Sequence, residues 1–410
     1  MAKTISTRCC IAGGGPAGMM LGLLLARAGV DVVVLEKHAD FLRDFRGDII
    51  HPSTLELMHE LGLLDRFLQL PHEKIKTLSA AFGNETLTFA DMTRLPTRCK
   101  FIALMPQWDF LNFLAREGAC HPGFKLMMRA EALAPVVESG RVVGVAATTA
   151  DGPMEIRARL LVGADGRHST LREKSGFEVE ELGAPMDVLW FRLSRRAGDS
   201  NQIMGRFGVG HLFVMINRGD YWQCGFVIAK GSIEKVHAQG LPVFRTRVAE
   251  IAPFTAGRVD EITDWNQVKL LTVAVDRAKV WHKPGLLLIG DAAHAMSPIG
   301  GVGINLAIQD AVAAANILWS PLAEDRLEEQ HLAQVQKRRE FPTRFIQGVQ
   351  VFMQRNIITR ALDGGAAPRP PWPIRLMARI PMFRRIPAQL FGVGVRPEHI
   401  NSPARAAGTP

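Results

Sequence analysis

Cys9-Cys10-Ile11-Ala12-Gly13-Gly14-Gly15-Pro16-Ala17-Gly18 is the stretch that sets the architecture: an apolar run, a glycine-rich turn, then the apolar residues Ala17 to Ala28. It is uncharged as far as Ala26 and long enough to raise the question of a membrane span. Its glycines and Pro16 instead suit a buried strand, a tight turn and an apolar helix packed on a sheet. Gly29 stands where that helix should end, and Val30 to Leu35 (VDVVVL) reads as a second buried parallel strand closing with Glu36. This is a βαβ unit. Gly13 permits the turn, Gly15 brings backbone close to a pyrophosphate, and Gly18 allows tight helix–sheet packing, with Pro16 and Ala17 opening the helix. The helix N-terminus offers free N–H groups to an anion. Glu36, about 20 residues on and followed by Lys37, is placed to accept from a ribose hydroxyl. The motif calls for an ADP-bearing dinucleotide and does not separate FAD from NAD.

Working outward, 410 residues with 47% hydrophobic side chains suffice for a large core in two interlocked domains. The five cysteines (Cys9, Cys10, Cys99, Cys120, Cys224) lack framework spacing, which speaks against a disulfide scaffold or a zinc site. Met1 to Arg8 shows no secretory pattern, so a cytoplasmic location is expected. The net charge of +9 concentrates in residues 341–410, where ten arginines face only Asp363 and Glu398. No nucleic-acid motif accompanies that charge, and no nucleic-acid partner is expected.

The pattern then changes from α/β to β to α. A helix is expected after Ser53, with Ser53 and Glu56 as a capping box and Gly62 as a stop. DVLWFRLSRR, HLFVMIN and YWQCGFVIA read as strands, the last two as a hairpin. GLLLIG (285–290) is a strand and NLAIQDAVAAANIL (305–318) a helix.

Two further glycine motifs follow strands. Gly163-Ala164-Asp165-Gly166-Arg167-His168-Ser169 precedes a short helix containing Arg172, and by itself Asp165 fits an ordinary turn equally well. Gly290-Asp291-Ala292-Ala293-His294 leads through Pro298 to Gly300-Gly301-Val302-Gly303-Ile304-Asn305. Asp291 at a strand end suits a ribityl hydroxyl. The glycines admit backbone amides to a flavin's pyrimidine edge, and the next helix points its positive end there. FAD is therefore the expected cofactor.

In these three motifs, over roughly residues 5 to 320, the chain resembles the class A flavoprotein monooxygenases, the group of para-hydroxybenzoate hydroxylase and the ubiquinone-biosynthesis hydroxylases. GDAAHAMSPIGGVGIN is the most specific part. The resemblance implies reduction of FAD by NADPH or NADH, formation of a flavin C4a-hydroperoxide with O₂, and insertion of one oxygen atom into an activated aromatic substrate. It implies Arg46 near the FAD pyrophosphate and Gln107 on the ribityl chain. It also implies Asp165 in FAD and NAD(P)H contacts, Pro298 beside the flavin ring, and Gly301, Gly303, Ile304 and Asn305 towards its pyrimidine side. The fold implied is α/β: a three-layer, Rossmann-like FAD-binding domain of the GR2 type (1–75, 102–178, 268–345). Interleaved with it is a β-sheet substrate domain (76–101, 179–267), followed by a helical, arginine-rich tail (346–410).

Two departures bear on substrate. Ser297-Pro298 stands where many members show two prolines, and the single tyrosine, Tyr221, excludes the tyrosine pair that activates a phenol in para-hydroxybenzoate hydroxylase. A dry pocket is needed. Alternation groups His211, Phe213 and Met215 on one hairpin arm, Trp222, Cys224 and Phe226 on the other, and Trp190 with Arg192 on a neighbouring strand. Trp190, Arg192, Phe213, Met215 and Phe226 are the candidates for the pocket wall; plain core is the other reading of each apolar one, and Arg192 meets either a substrate carboxylate or water. They point to a lipophilic phenol, quinol or polyketide-like substrate, the small-molecule partner of a monomer or homodimer. No catalytic base is named; His294 reads as structural. A non-hydroxylating FAD oxidoreductase (halogenase or reductase) and a non-catalytic flavin-binding redox sensor remain open, although the halogenase motif WxWxIP survives only as Trp372-Pro373-Ile374, in the wrong region. The tail is expected to wrap the FAD domain and bury its apolar residues; contact with a membrane surface is its other reading.

Overall fold

A computed structural model describes residues 3–42, 49–83, 85–199, 204–208, 210–362 and 370–404. Strand β1 (Lys3–Ala12) runs through the turn into α1 (Pro16–Arg27) and back as β2 (Val32–Glu36). Helix α1 is buried on nearly every side, as its uniformly apolar sequence requires. Helix α2 (Pro52–Glu60) begins at Pro52, so the expected Ser53/Glu56 capping box does not form. Proline suits the first helical position, and the Glu56 carboxylate is instead engaged by the Arg98 amide. Strands β3 (Thr77–Phe82) and β4 (Glu85–Asp91) come before α3 (Gln107–Ala119). They are followed by β5 (Phe124–Met128), β6 (Glu131–Glu138), β7 (Arg141–Thr149), β8 (Gly152–Gly163) and the short α4 (Thr170–Lys174).

The middle of the chain supplies β9 (Met186–Ser194), β10 (Met204–Gly208), β11 (His211–Asn217), β12 (Tyr221–Ala229), α5 (Leu241–Ile251) and β13 (Lys269–Leu271). After β14 (Leu286–Leu288) the chain is helical: α6 (Gly303–Ala323), α7 (Glu329–Met353) and α8 (Trp372–Arg379).

Two large sheets result. In the first, β14, β8, β1, β2 and β5 lie side by side and parallel, and β7 and β6 extend it antiparallel. Cys9, Ile11, Val32 and Val34 pack towards α1, α3 and α6, while Cys10, Ala12, Val33 and Leu35 pack against Val142 and Val145 of β7. The architecture is thus three layers: helices, parallel sheet and antiparallel arm. The second sheet runs β13-β9-β12-β11-β10-β3-β4. Helix α5 covers one of its faces, with Phe244 edge-on to Phe191 at 5.4 Å and to Phe226 at 5.5 Å.

Helix α6 sits in the apolar stretch Ile299–Ala323, among the described residues the one helical stretch long and apolar enough to cross a membrane; 78% of its most apolar window is buried inside the protein. The tail divides in two. Pro387, Ala388, Phe391 and Glu398 are buried, but no residue of α8 is, and Trp372 is 75% exposed. The expected wrapping therefore holds only for the later part; the earlier one lies against β4 of the second sheet and leaves Trp372, Leu376, Ile380, Met382 and Ile386 exposed.

Candidate active site

All three glycine motifs emerge at the carboxyl ends of adjacent parallel strands, stitched there by backbone hydrogen bonds. Gly13 N donates to Leu35 O at 2.8 Å, Ala164 N to Ala12 O at 2.8 Å, and Ile289 N to Gly163 O at 3.0 Å. That edge of an open α/β sheet is where ligands bind. A cavity of about 1980 Å³ opens against it and continues to the uncovered face of the second sheet. A pocket for one drug-sized ligand measures only roughly 300–1,000 Å³, so the space admits a dinucleotide and a second sizeable molecule.

Gly13, Gly15, Pro16, Ala17, Glu36, Lys37, Gln107, Asp165, Asp291, Pro298, Gly301, Gly303 and Ile304 all line this one cavity. Gly13 adopts φ +111°, and a Cβ there would stand 2.2 Å from the Ala164 carbonyl oxygen; Gly15, by contrast, faces open space. Neither α1 nor α6 has a capping side chain, so both helix N-termini present unpaired N–H groups and a positive dipole end to the cavity. The Glu36 carboxylate accepts from Gly14 N at 3.2 Å and His38 N at 3.0 Å.

Three of the expected cofactor residues fall elsewhere or do other work. Gly18 lies behind the turn, packed on the Gly13 carbonyl. Asn305 is off the cavity: its Oδ1 accepts from His51 N at 3.1 Å and Thr54 Oγ1 at 2.7 Å, tying α2 to α6. Asp165 lines the cavity, but its carboxylate accepts from Ser169 Oγ at 2.5 Å and Leu171 N at 3.1 Å. Burial raises the Asp165 pKa, although those same bonds oppose the rise. Arg46 lies outside the described residues.

The pocket wall needs a larger correction. Phe213, Met215 and Phe226, with Trp222 and Cys224, point away from the cavity into the core beneath α5. Their neighbours Leu212, Val214, Ile216 and Val227 line the cavity instead. Alternation grouped the residues properly, but both faces of these strands are apolar and period two does not say which is covered. Trp190 does line the cavity, together with Phe207, whose ring stacks on Phe82 at 4.6 Å. Arg192 is exposed, its guanidinium 4.7 Å from the Tyr221 ring centre.

Several supporting residues escaped the sequence reading. Arg167 reaches Asp291 Oδ2 at 3.4 Å, and Arg172 joins the second and third motifs by donating to Asp276 Oδ1 and Ala292 O, each at 3.3 Å. Beneath Gly290-Asp291, Asp310 accepts from the Gly290 amide at 3.1 Å and from Arg339 Nε at 3.1 Å. Burial pushes the Asp310 carboxyl up, but His294, Arg339 and the Gly290 amide outweigh that and hold it below its usual range. The one sequence signal was an aspartate within an otherwise uncharged helix.

Residues 6–349 match the family described as an FAD binding domain. Over 382 residues the chain is 33% identical to a 6-methylpretetramide 4-monooxygenase of Streptomyces rimosus, covering 93% of this chain and 91% of that one. It is 30% identical to an uncharacterized aromatic compound monooxygenase, YhjG, of Bacillus subtilis over 75% of this chain and 60% of that relative. The fold superposes on Pseudomonas aeruginosa PqsL in complex with 2-aminobenzoylacetate with a TM-score of 0.74, at 21% identity, covering 87% of this chain and 99% of PqsL.

Proposed function

The chain belongs to this FAD-binding family of class A flavoprotein monooxygenases, and from that premise we propose that it hydroxylates a lipophilic, polycyclic aromatic substrate of the phenol, quinol or polyketide type. The observation that carries the proposal is the cavity: two uncapped helix N-termini at one side, a broad apolar sheet face at the other. The residues fit FAD. The α1 N-terminus and the Gly13–Gly15 backbone would hold the pyrophosphate, Glu36 a ribose hydroxyl and Asp291 the ribityl chain. The α6 N-terminus, with Gly301, Gly303 and Ile304, would meet the flavin's pyrimidine edge.

Bound FAD supplies the redox chemistry, taking reducing equivalents from NAD(P)H and activating O₂ so that one oxygen atom enters the substrate and the other leaves as water. The protein's part is positioning and exclusion. With FAD bound, the positive end of α6 would stabilise negative charge at the pyrimidine edge. Leu212, Val214, Ile216, Val227, Trp190 and Phe207 keep water from the reacting face. Ser79 and Gln223, polar among them, are placed to orient a hydroxyl or carbonyl of the substrate. His294 and Asp310 hold a structural turn and move no proton to substrate. We assign the first sheet to a discontinuous FAD-binding domain (1–75, 102–178, 268–345) and the second to the substrate domain (76–101, 179–267), with β13 (Lys269–Leu271) joining the second sheet from just beyond that boundary.

Substrate size supports the same reading. A relative named for 6-methylpretetramide matches nearly the whole chain, and the cavity's apolar portion has room for a fused-ring molecule. The test is NAD(P)H oxidation by purified protein across a panel from small benzoates to polycyclic phenols, with incorporation of isotopically labelled O₂ followed by mass. Labelled product from the polycyclic phenols is expected. Coupling confined to small benzoates would refute the substrate class, and protein that takes up no FAD would refute the whole assignment.

A further inference from the structure

Between Trp372 and Ile386 the surface is unusual for a protein exterior. Trp372, Leu376 and Ile380 recur every four residues along α8 and beyond its end, and Met382 and Ile386 continue the exposed apolar strip, at 67% and 58% exposure. Isolated exposed apolar residues are ordinary, but a contiguous strip marks a contact surface. Arg375 and Arg379 flank the strip at the same spacing, Arg384 and Arg385 follow, and the segment contains no acid. Arg384 folds back to donate to the Met377 carbonyl at 3.0 Å, tying the segment after α8 to the helix.

The same segment borders the cavity. Ile374 and Met377 line it from the inner side, and Trp372, though mostly exposed, lines it too, as does Phe352 at 65% exposure. A lining residue that exposed lies at the rim.

We propose that Trp372–Ile386 seats the protein on an anionic lipid surface, with the cavity rim turned to the interface so that a lipophilic substrate enters from the bilayer. Charge selects this occupant. A second copy of the chain would set arginines against arginines with no acid in the segment to pair them, whereas anionic headgroups neutralise the exposed Arg375, Arg379 and Arg385 while the apolar strip enters the acyl boundary. Tryptophan at the rim suits that boundary, having an apolar body and a polar N–H. The seating stands on the surface alone; entry of substrate from the bilayer rests on the hydroxylase reading above.

The test is co-sedimentation of full-length, FAD-loaded protein with phosphatidylcholine vesicles, with and without phosphatidylglycerol, at low and high salt. Binding only to the anionic vesicles, lost at high salt, is expected. Arg375→Gln/Arg379→Gln should weaken partitioning about fivefold per arginine, so roughly twenty-five-fold for the pair. Met382→Ser/Ile386→Ser should weaken it as well. The flavin absorption spectrum and turnover of a water-soluble phenol should stay unchanged in the arginine variant, which shows that it is folded. Equal binding to neutral vesicles, no binding to either, or a vesicle-free dimer dissociated by Met382→Ser/Ile386→Ser would each overturn the seating. A phenol embedded in vesicles should be oxidised more slowly by the arginine variant, and equal rates would overturn entry from the bilayer. Absence of any substrate-stimulated NAD(P)H oxidation would remove the hydroxylase reading while leaving the sedimentation result to decide the surface.

Discussion

His294 donates from Nε2 to Oδ2 of Asp310 at 2.6 Å, and both side chains are essentially inaccessible to solvent. The pair lies beneath the Gly290-Asp291 turn, and Arg339 extends it to Glu398 in the tail, Nη1 to Oε1 at 3.2 Å. One buried carboxylate thus holds a cavity-lining turn, two helices and the tail in register.

Removing that carboxylate leaves the buried His294 Nε2 and Arg339 Nε without their acceptor, Arg339 keeping Glu398 as its ionic partner. Asp310→Ala should cost about 3–5 kcal/mol and loosen the Gly290–Asp291 turn. Thermal denaturation should show a markedly lower midpoint, and gel filtration should strip FAD more readily than from wild type. A midpoint within a degree or two of wild type would mean the network is dispensable.

Gly13 and Gly15 should separate folding from cofactor binding. Gly13→Ala places a methyl against the Ala164 carbonyl at φ +111°, a penalty beyond the ~1–3 kcal/mol of backbone strain alone; little soluble, flavin-bearing protein is expected. Gly15→Ala meets no protein atom within 4 Å and projects into the cavity. It should fold with an unchanged far-ultraviolet circular dichroism spectrum yet bind FAD more weakly in a titration of the apoprotein.

The two faces of β11 should behave differently. Phe213→Ala opens a hole beneath α5 and should destabilise by about 3–5 kcal/mol, with KM for substrate little altered. Val214→Trp fills the cavity side. It should leave the denaturation midpoint near wild type and raise KM for a polycyclic phenol by roughly tenfold or more. The reverse pattern would return Phe213 to the pocket.

His51 sets a pH limit. It is fully buried, and neither ring nitrogen has a partner in good geometry, although the backbone of Gly301, Gly300 and Phe391 lies near enough to favour the charged form in part. Burial dominates and pushes its pKa down from 6.5 to about 4. The unfolded chain takes up this proton near pH 6.5 and the folded one only near pH 4. The contribution is therefore complete above 6.5 and declines as pH falls towards 4, by up to about 3 kcal/mol. Urea unfolding across that window should show the slope, and His51→Leu should flatten it; an equal slope in the variant would assign the proton elsewhere.

The parts legible in the sequence are those fixed by local backbone geometry. Gly13, Gly15 and Gly18 announce a strand–turn–helix because few other residues tolerate the turn, and Gly290-Asp291 and Gly300 to Gly303 could be placed at a strand end and a helix start for the same reason. The assignments that failed all depended on what lies across space. Asn305 sits at the right point of its helix but turns to His51 and Thr54, partners some 250 residues away in sequence. Asp310 reads as one acid in an apolar helix until Arg339 and His294 meet it.

The sequence by itself determined the layered α/β plan, the FAD-type motifs and the grouping of sheet residues by face, since φ/ψ preference and a period of two are properties of neighbours along the chain. Only the tertiary structure decided which of two apolar faces looks into the cavity, and which stretch of the arginine-rich tail stays uncovered. Those outcomes follow from where α5 and the tail come to rest, and surface is buried against whatever arrives, however distant in sequence.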